Sequence, residues 1–265
     1  MNKTQIEWTK NPDGTPGFTW NPVTGCLNHV NGMCKGGNFP CYAYRLANTR
    51  LRERYLANSC LPTHDEENHE AHHSDPFYPR FWHRKLTGGS PKGIFVCDMG
   101  ELFGDWIPSW WQEVVFAQIR LFKQHRFYLL TKQPQNLLAW SPFPDNCYVG
   151  VTATNAQMFI DAGNALKDID AKIKYISAEP LLSWDLGGSG FIATMLQKWG
   201  INQVIIGAQT KPYKPPKIEW VREIVESCDK AGVKVFIKNN LSSIWDVDLP
   251  KWAIRDGGLR QEVPC

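Results

Sequence analysis

The chain reads as a single-domain α/β fold, a partial or near-complete (β/α) barrel of parallel strands. Three observations predict this. Short runs rich in β-branched and aromatic residues are apolar along their whole length, as strands buried on both faces are. Amphipathic stretches separate them, so strand and helix alternate about six to seven times. The 265 residues suffice for one large domain of this kind.

The strands are expected to end at Gly25, Gly100, Lys132, Thr154, Pro180, Gln209 and Asn239. The clearest runs are Gly93–Cys97, Phe127–Thr131, Tyr148–Thr152, Ile173–Ser177, Val204–Gly207 and Val233–Ile237. Helical patterns cover Cys41–Asn58, a stretch from Pro108 to about Lys123, Asn155–Lys167 and Glu219–Ala231. Pro108 suits a first helical turn, Asn155 an N-cap, and Gly232 a C-terminal stop. The domain is expected over residues 1–240, with a polar, His-rich insertion at 60–75 and a C-terminal extension over 241–265. His64, His69, His72 and His73 in the insertion are possible metal ligands, but a solvated loop or short helix accounts for them as well. The stretch from Asp256 to Cys265 is expected to be a surface tail.

No apolar run reaches the ~20 residues a bilayer span needs. The N-terminus lacks the apolar core of a signal peptide, so a cytoplasmic location is expected. A disulfide framework belongs to small secreted chains, which leaves the eight cysteines to other uses. Three of them, Cys26, Cys34 and Cys41, share one loop rich in Gly and Asn, between the first strand and the first helix. An α/β barrel places its chemistry there.

Three thiolates can hold an iron–sulfur cluster and leave one iron open to a ligand. Alternatively His29 joins them in a Cys3His zinc site, spaced C-x2-H-x4-C-x6-C, in a nucleic-acid-binding protein without catalysis. Spacing does not separate the two; the position at the mouth of a barrel favours the cluster. Further polar residues stand at expected strand ends and would converge on the same mouth: Lys132, Thr152, Thr154, Glu179, Gln209 and Lys238. The two lysines suit an anionic group.

The segments Thr19–Cys26 and Cys41-Tyr42-Ala43 resemble the phage Gp37/Gp68-type (DUF5131-like) family, a radical S-adenosylmethionine-like group. Phe77–His83, Phe95–Phe103, Leu129–Pro134, Gly150–Thr152 and Ser177–Leu182 match in order, so the resemblance spans roughly residues 5 to 240. The spacing here, C-x7-C-x6-C, is longer than the compact C-x3-C-x2-C loop usual in radical S-adenosylmethionine enzymes. The resemblance implies a [4Fe-4S] cluster on Cys26, Cys34 and Cys41, and S-adenosylmethionine as second cofactor. It implies reductive cleavage of that cofactor to methionine and a 5′-deoxyadenosyl radical, with an electron donor such as flavodoxin or ferredoxin as partner. Met99-Gly100-Glu101 would meet the methionine amine, with Thr152, Thr154 and Gln209 around the rest of the cofactor. Lys132, Glu179 and Lys238 are the candidates for work on the substrate.

The substrate is expected to be a nucleic acid or nucleotide-type molecule. Arg45, Arg50, Arg52 and Arg54, then Arg80, Arg84 and Lys85, form two basic clusters that could position phosphates. The twelve tryptophans either fill the core or offer stacking surfaces for bases.

Overall fold

The structure is a computed structural model that describes residues 1–57, 75–82, 84–245 and 249–264. Cys60, His64, His69, His72, His73, His83 and Cys265 lie outside the described residues. An eight-stranded sheet organises the fold: β1 (Asn2–Lys3), β2 (Phe18–Trp20), β3 (Gly93–Val96), β4 (Arg126–Thr131), β5 (Cys147–Thr152), β6 (Ile173–Ala178), β7 (Gln203–Ile206) and β8 (Lys234–Ile237). The strands lie side by side in chain order. β1 pairs antiparallel with β2, and every later neighbour pair is parallel. Among the described residues no pairing joins β1 to β8, so the fold is a mixed α/β sheet structure with no closed barrel detected.

Parallel neighbours need crossover connections of consistent hand. Four helices supply them later in the chain: α3 (Ser109–Leu121), α4 (Ala156–Lys167), α5 (Ser189–Trp199) and α6 (Ile218–Ala231). Their apolar sides pack on one face of the sheet. Val115, Phe159, Leu196 and Val225 share a core there with Ile94, Phe127, Val149, Ile176, Val204 and Val235. The expected cap of α4 forms, since Asn155 Oδ1 accepts the Met158 N–H at 2.9 Å. The expected helix over Cys41–Asn58 is two short ones, α1 (Tyr42–Asn48) and α2 (Arg52–Leu56), interrupted at Thr49–Leu51.

Alternate residues of the same strands point to the other face, where among the described residues the buried cluster takes none from a helix. Phe95, Tyr128, Tyr148, Tyr175, Ile205 and Phe236 gather there around Trp8. The Trp8 ring lies 4.9 Å from Phe95, 5.7 Å from Tyr128 and 5.8 Å from Tyr175. These aromatic rings fill the inner face over the N-terminal and middle parts of the strands. Small and polar residues, Thr152 and Ser177, occupy the next row toward the C-terminal ends.

The chain termini complete the inner face. The expectation of a surface tail over 256–265 is corrected for residues 260–264, while 256–258 are exposed as expected. Ile237 N–H donates to Arg260 O (2.7 Å) and Glu262 N–H to Val235 O (3.0 Å), so this segment runs antiparallel along the β8 edge. Tyr148 Oη donates to Pro264 O at 3.0 Å. The buried Arg260 guanidinium bonds Asp229 and Glu262, each at 2.8 Å. An unpaired strand edge is thereby covered. The tryptophans belong to the core: Trp8, Trp20, Trp82, Trp111, Trp184 and Trp199 are buried, and only Trp110 is exposed. No helix among the described residues is long and apolar enough to cross a membrane.

Gly150 sits under the Tyr175 ring, and a Cβ there would lie 2.3 Å from Tyr175 Cζ. Tyr175 Oη donates to Leu129 O at 3.0 Å, which stops the ring from swinging aside. Gly150→Ala should therefore destabilise the protein by about 2 kcal/mol through overpacking. A urea unfolding midpoint equal to that of the wild type would show that the aromatic layer is loose instead.

Candidate functional site

The connections leaving the C-terminal ends of the strands build the site. The first is the cysteine loop, a three-stranded ribbon of His29–Val30, Met33–Cys34 and Phe39–Pro40. Its first turn is Asn31-Gly32, with φ 47° and 79°, between the paired Val30 and Met33. Asn-Gly is the strongest short signal for such a two-residue hairpin, and it was available in the sequence. The loop lies over the ends of β4 and β5. Thr154 Oγ1 donates to Gly36 O at 3.3 Å. A Cβ on Gly37 (φ 127°) would lie 2.3 Å from that same hydroxyl, so the contact admits no side chain there. The Lys132 ammonium stands 5.9 Å from the centre of the Phe39 ring.

Two of the three loop cysteines, Cys26 and Cys41, have a sulfur that accepts a backbone N–H from the following turn. Asn28 N–H bonds Cys26 Sγ at 3.2 Å and Tyr44 N–H bonds Cys41 Sγ at 3.5 Å. Cys147 and Cys228, buried in the helix-covered core, receive no such bond. Burial pushes the Cys26 thiol up to about 12, and the nearby Glu101 carboxylate adds to the effect. Burial raises the Cys34 thiol as well, against the pull of Lys132. A bound metal reverses this, because it deprotonates a coordinating thiol outright. Among the described residues, no group of three or more His, Cys, Asp or Glu is arranged to hold a metal ion.

His29 is engaged in packing. Its ring lies 4.8 Å from Tyr44 and 5.4 Å from Phe77, and Nδ1 accepts the Gly32 N–H at 3.3 Å.

Met99, Gly100 and Glu101 form the turn after β3. Met99 N–H donates to Asn21 Oδ1 at 3.0 Å, and Gly100 bridges to Gly25 beneath the cysteine loop. Glu101 is buried, and its carboxylate accepts from Thr131 Oγ1 (2.7 Å), Lys132 N–H (3.0 Å) and Phe103 N–H (3.1 Å). Three of its roughly four acceptor positions are thus used in tying β3 to β4. Burial raises its pKa, and the bonds from Lys132 and Thr131 oppose that rise.

Across the mouth the register sets a second group. Ala178 aligns with Ile206, and Ile206 with Ile237. One residue further, Glu179, Gly207 and Lys238 stand in a row. A Cβ on Gly207 would lie 3.0 Å from Lys238 Cδ and 3.1 Å from Glu179 Cγ. The missing side chain lets Lys238 reach over β7 and pair with Glu179. Gln209 stands apart from this group, since its Nε2 donates to Pro212 O (2.8 Å) within a hairpin.

Between the cysteine loop and the Glu179–Lys238 pair lies Thr152. It is 2% exposed, and its hydroxyl has no partner among the described residues. A buried hydroxyl left unsatisfied costs stability, and such groups mark places where a ligand or water completes the bonding.

The two basic clusters meet at Trp82 through Arg54 and Arg84, without Arg80. Arg80 is buried, with its guanidinium on the carbonyls of Tyr78 (2.8 Å) and Asp75 (2.9 Å), which corrects its expected role with phosphates. Arg45, Arg50, Arg52 and Arg54 are exposed on α1, α2 and their junction. Arg54 and Arg84 each stack 5.4 Å from the Trp82 ring centre.

Thr152→Val keeps the shape and deletes the unpartnered hydroxyl. The ligand-free variant should be about 1 kcal/mol more stable than the wild type. A clear loss of stability in urea unfolding would show that the hydroxyl is already satisfied within the protein.

No curated protein and no solved structure matches the chain. Residues 3–245 match the family described as a protein of unknown function, DUF5131, in agreement with the Gp37/Gp68-type resemblance of the sequence. The chain belongs to that family.

Proposed function

We propose that this chain is a radical S-adenosylmethionine enzyme in which Cys26, Cys34 and Cys41 hold a [4Fe-4S] cluster. The observation that carries the reading is the gathering of three cysteines on one loop at the mouth, two of them with backbone N–H···S bonds. Hydrogen bonds to the sulfurs are a principal means by which a protein tunes such a cluster. A single zinc ion asks for four ligand atoms about one point at ~2.0–2.3 Å. A cluster spreads its cysteines over separate irons and asks for less convergence. The engagement of His29 Nδ1 with Gly32 further favours the cluster over the Cys3His zinc protein. Cys26, Cys34 and Cys41 would hold the cluster there, and its chemistry would be one-electron reduction of the S-adenosylmethionine sulfonium, with the electron drawn from an external donor protein.

The protein's own groups bind and orient. Thr152 offers a buried hydroxyl to a polar edge of the cofactor, such as a ribose hydroxyl. Thr154 and Lys132 seat the cysteine loop on the ends of β5 and β4. The Glu101 carboxylate fixes the β3–β4 junction under that loop and keeps one acceptor position for a cationic amine. The Glu179–Lys238 pair walls the far side, where Lys238 can meet an anionic substrate group. The aromatic layer below excludes water from the floor. We read the sheet with its covered edges as an open partial barrel, the substrate as a nucleic acid or nucleotide-type molecule, and the reductant as an electron-transfer protein such as flavodoxin or ferredoxin.

Anaerobically reconstituted, chemically reduced protein should form 5′-deoxyadenosine from S-adenosylmethionine, at least slowly. Thr152→Val should keep its cluster and bind the cofactor roughly tenfold more weakly, the value of one good hydrogen bond to a buried group. Chromatography showing no 5′-deoxyadenosine from cluster-loaded wild type would contradict the reading.

A further inference from the structure

The connection after β7 carries a surface that the cofactor chemistry does not use. Gln209–Thr210 and Tyr213–Lys214 pair as a small antiparallel hairpin with Lys211-Pro212 at its tip. Residues 210–215 are all exposed. The stretch 209–218 holds three lysines, Lys211, Lys214 and Lys217, and no carboxylate. Its charge of +3 equals the formal net charge of the whole chain. Among the described residues, neither Lys211 nor Lys214 pairs with an acid. The carboxylates at the mouth are engaged instead: Glu179 with Lys238, Glu101 with Thr131 and Lys132, and Asp98 with Asn21.

The hairpin is braced. Asn240 accepts from the Ala208 N–H (3.1 Å) and donates to Ala208 O (3.0 Å), so the hairpin base is clamped to the segment after β8. Tyr213 Oη donates to Asn240 O at 2.9 Å. Tyr213 is 47% exposed as a residue, yet the far end of its ring is pinned to the backbone. Its hydroxyl is used internally, and the exposed part of the ring is held in place before any ligand arrives. Gln209 begins two residues after Gly207, so the hairpin base lies within about 7 Å of backbone from the Glu179–Lys238 row.

We propose that this hairpin is a platform for single-stranded nucleic acid at the rim of the site. The Tyr213 ring stacks a base, and Lys211 and Lys214 meet the flanking phosphates. A fixed aromatic ring among unpaired cations is the combination that single-strand binders use. An acidic peptide would use the lysines and leave the ring idle. A duplex covers its base faces by its own stacking. The inference deepens the proposed function by naming its substrate class. The binding itself needs no cluster.

The test is a titration of labelled oligothymidylate into the full chain at two salt concentrations, with thermal melts as folding controls. The wild type should bind, and the affinity should fall as salt rises. Tyr213→Ala should weaken binding about tenfold, in line with the loss of one stacked base, while Tyr213→Phe, which keeps the ring and loses its brace to Asn240 O, should bind between the two. The double change Lys211→Ala with Lys214→Ala should flatten the log–log salt dependence by roughly 1.4, about 0.7 per phosphate contact. Absence of binding at low salt, indifference to Tyr213→Ala, or a preference for duplex DNA, polyglutamate or anionic vesicles would overturn the platform. Iron content and 5′-deoxyadenosine formation on the same preparations keep the two readings apart. Normal cofactor cleavage without oligonucleotide binding removes the platform alone. Oligonucleotide binding by a protein that takes up no iron removes the proposed enzyme alone.

Discussion

The site depends on the register of a parallel sheet whose inner face is already full. Side chains in a sheet alternate strictly between faces, so a shift of one residue would exchange them all. Here the alternation sends Phe95, Tyr128, Tyr148 and Tyr175 inward against Trp8 and their neighbours outward against the helices. The rings fill the inner face below the C-terminal ends of the strands. The same register brings Glu179, Gly207 and Lys238 into one row and places Thr152 beside Ser177. The polar groups of the mouth are thus positioned by backbone pairing far more than by their own contacts.

The cysteine loop adds a second constraint. It carries three thiols, two of them with a local N–H donor, on a ribbon that touches the sheet through Gly36 and Gly37. Small residues at the contact let the backbone approach Lys132 and Thr154 closely. The arrangement favours a group held partly by sulfur and partly by the surrounding backbone, on a face that opens toward Thr152 and the Glu179–Lys238 pair. The hairpin at 209–214 extends the same mouth outward with positive charge and one fixed ring.

Much of the fold is legible in the sequence because burial on both faces leaves continuous apolar strands, and the caps of Asn155 and Gly232 are local signals. The helix Ser189–Trp199 is harder to read, since it starts at Gly188 without a side-chain cap. The split after Asn48 leaves α1 and α2 looking like one helical stretch. The docking of residues 260–264 depends on partners such as Tyr148 and Val235, more than a hundred and some twenty-five positions away, and no local pattern encodes it. In the site, the cysteines and the polar strand ends stand out by type and position. Their pairing does not: the bridge from Lys238 to Glu179 needs the empty Cβ of Gly207, and the internal role of Arg80 needs the fold of residues 75–80. The Lys211–Lys217 stretch is visible as composition, but its significance rests on the brace from Asn240.

The central claim is that Cys26, Cys34 and Cys41 act together as ligands of an iron–sulfur cluster. Iron, sulfide and zinc determination on protein purified without oxygen tests it most directly, with Cys34→Ala and Cys147→Ala prepared alongside. The account predicts iron and sulfide in near-equal amounts, with brown colour, in the wild type and in Cys147→Ala, and their loss in Cys34→Ala. A colourless wild type holding one tightly bound zinc, or a Cys34→Ala protein with normal iron, would contradict it.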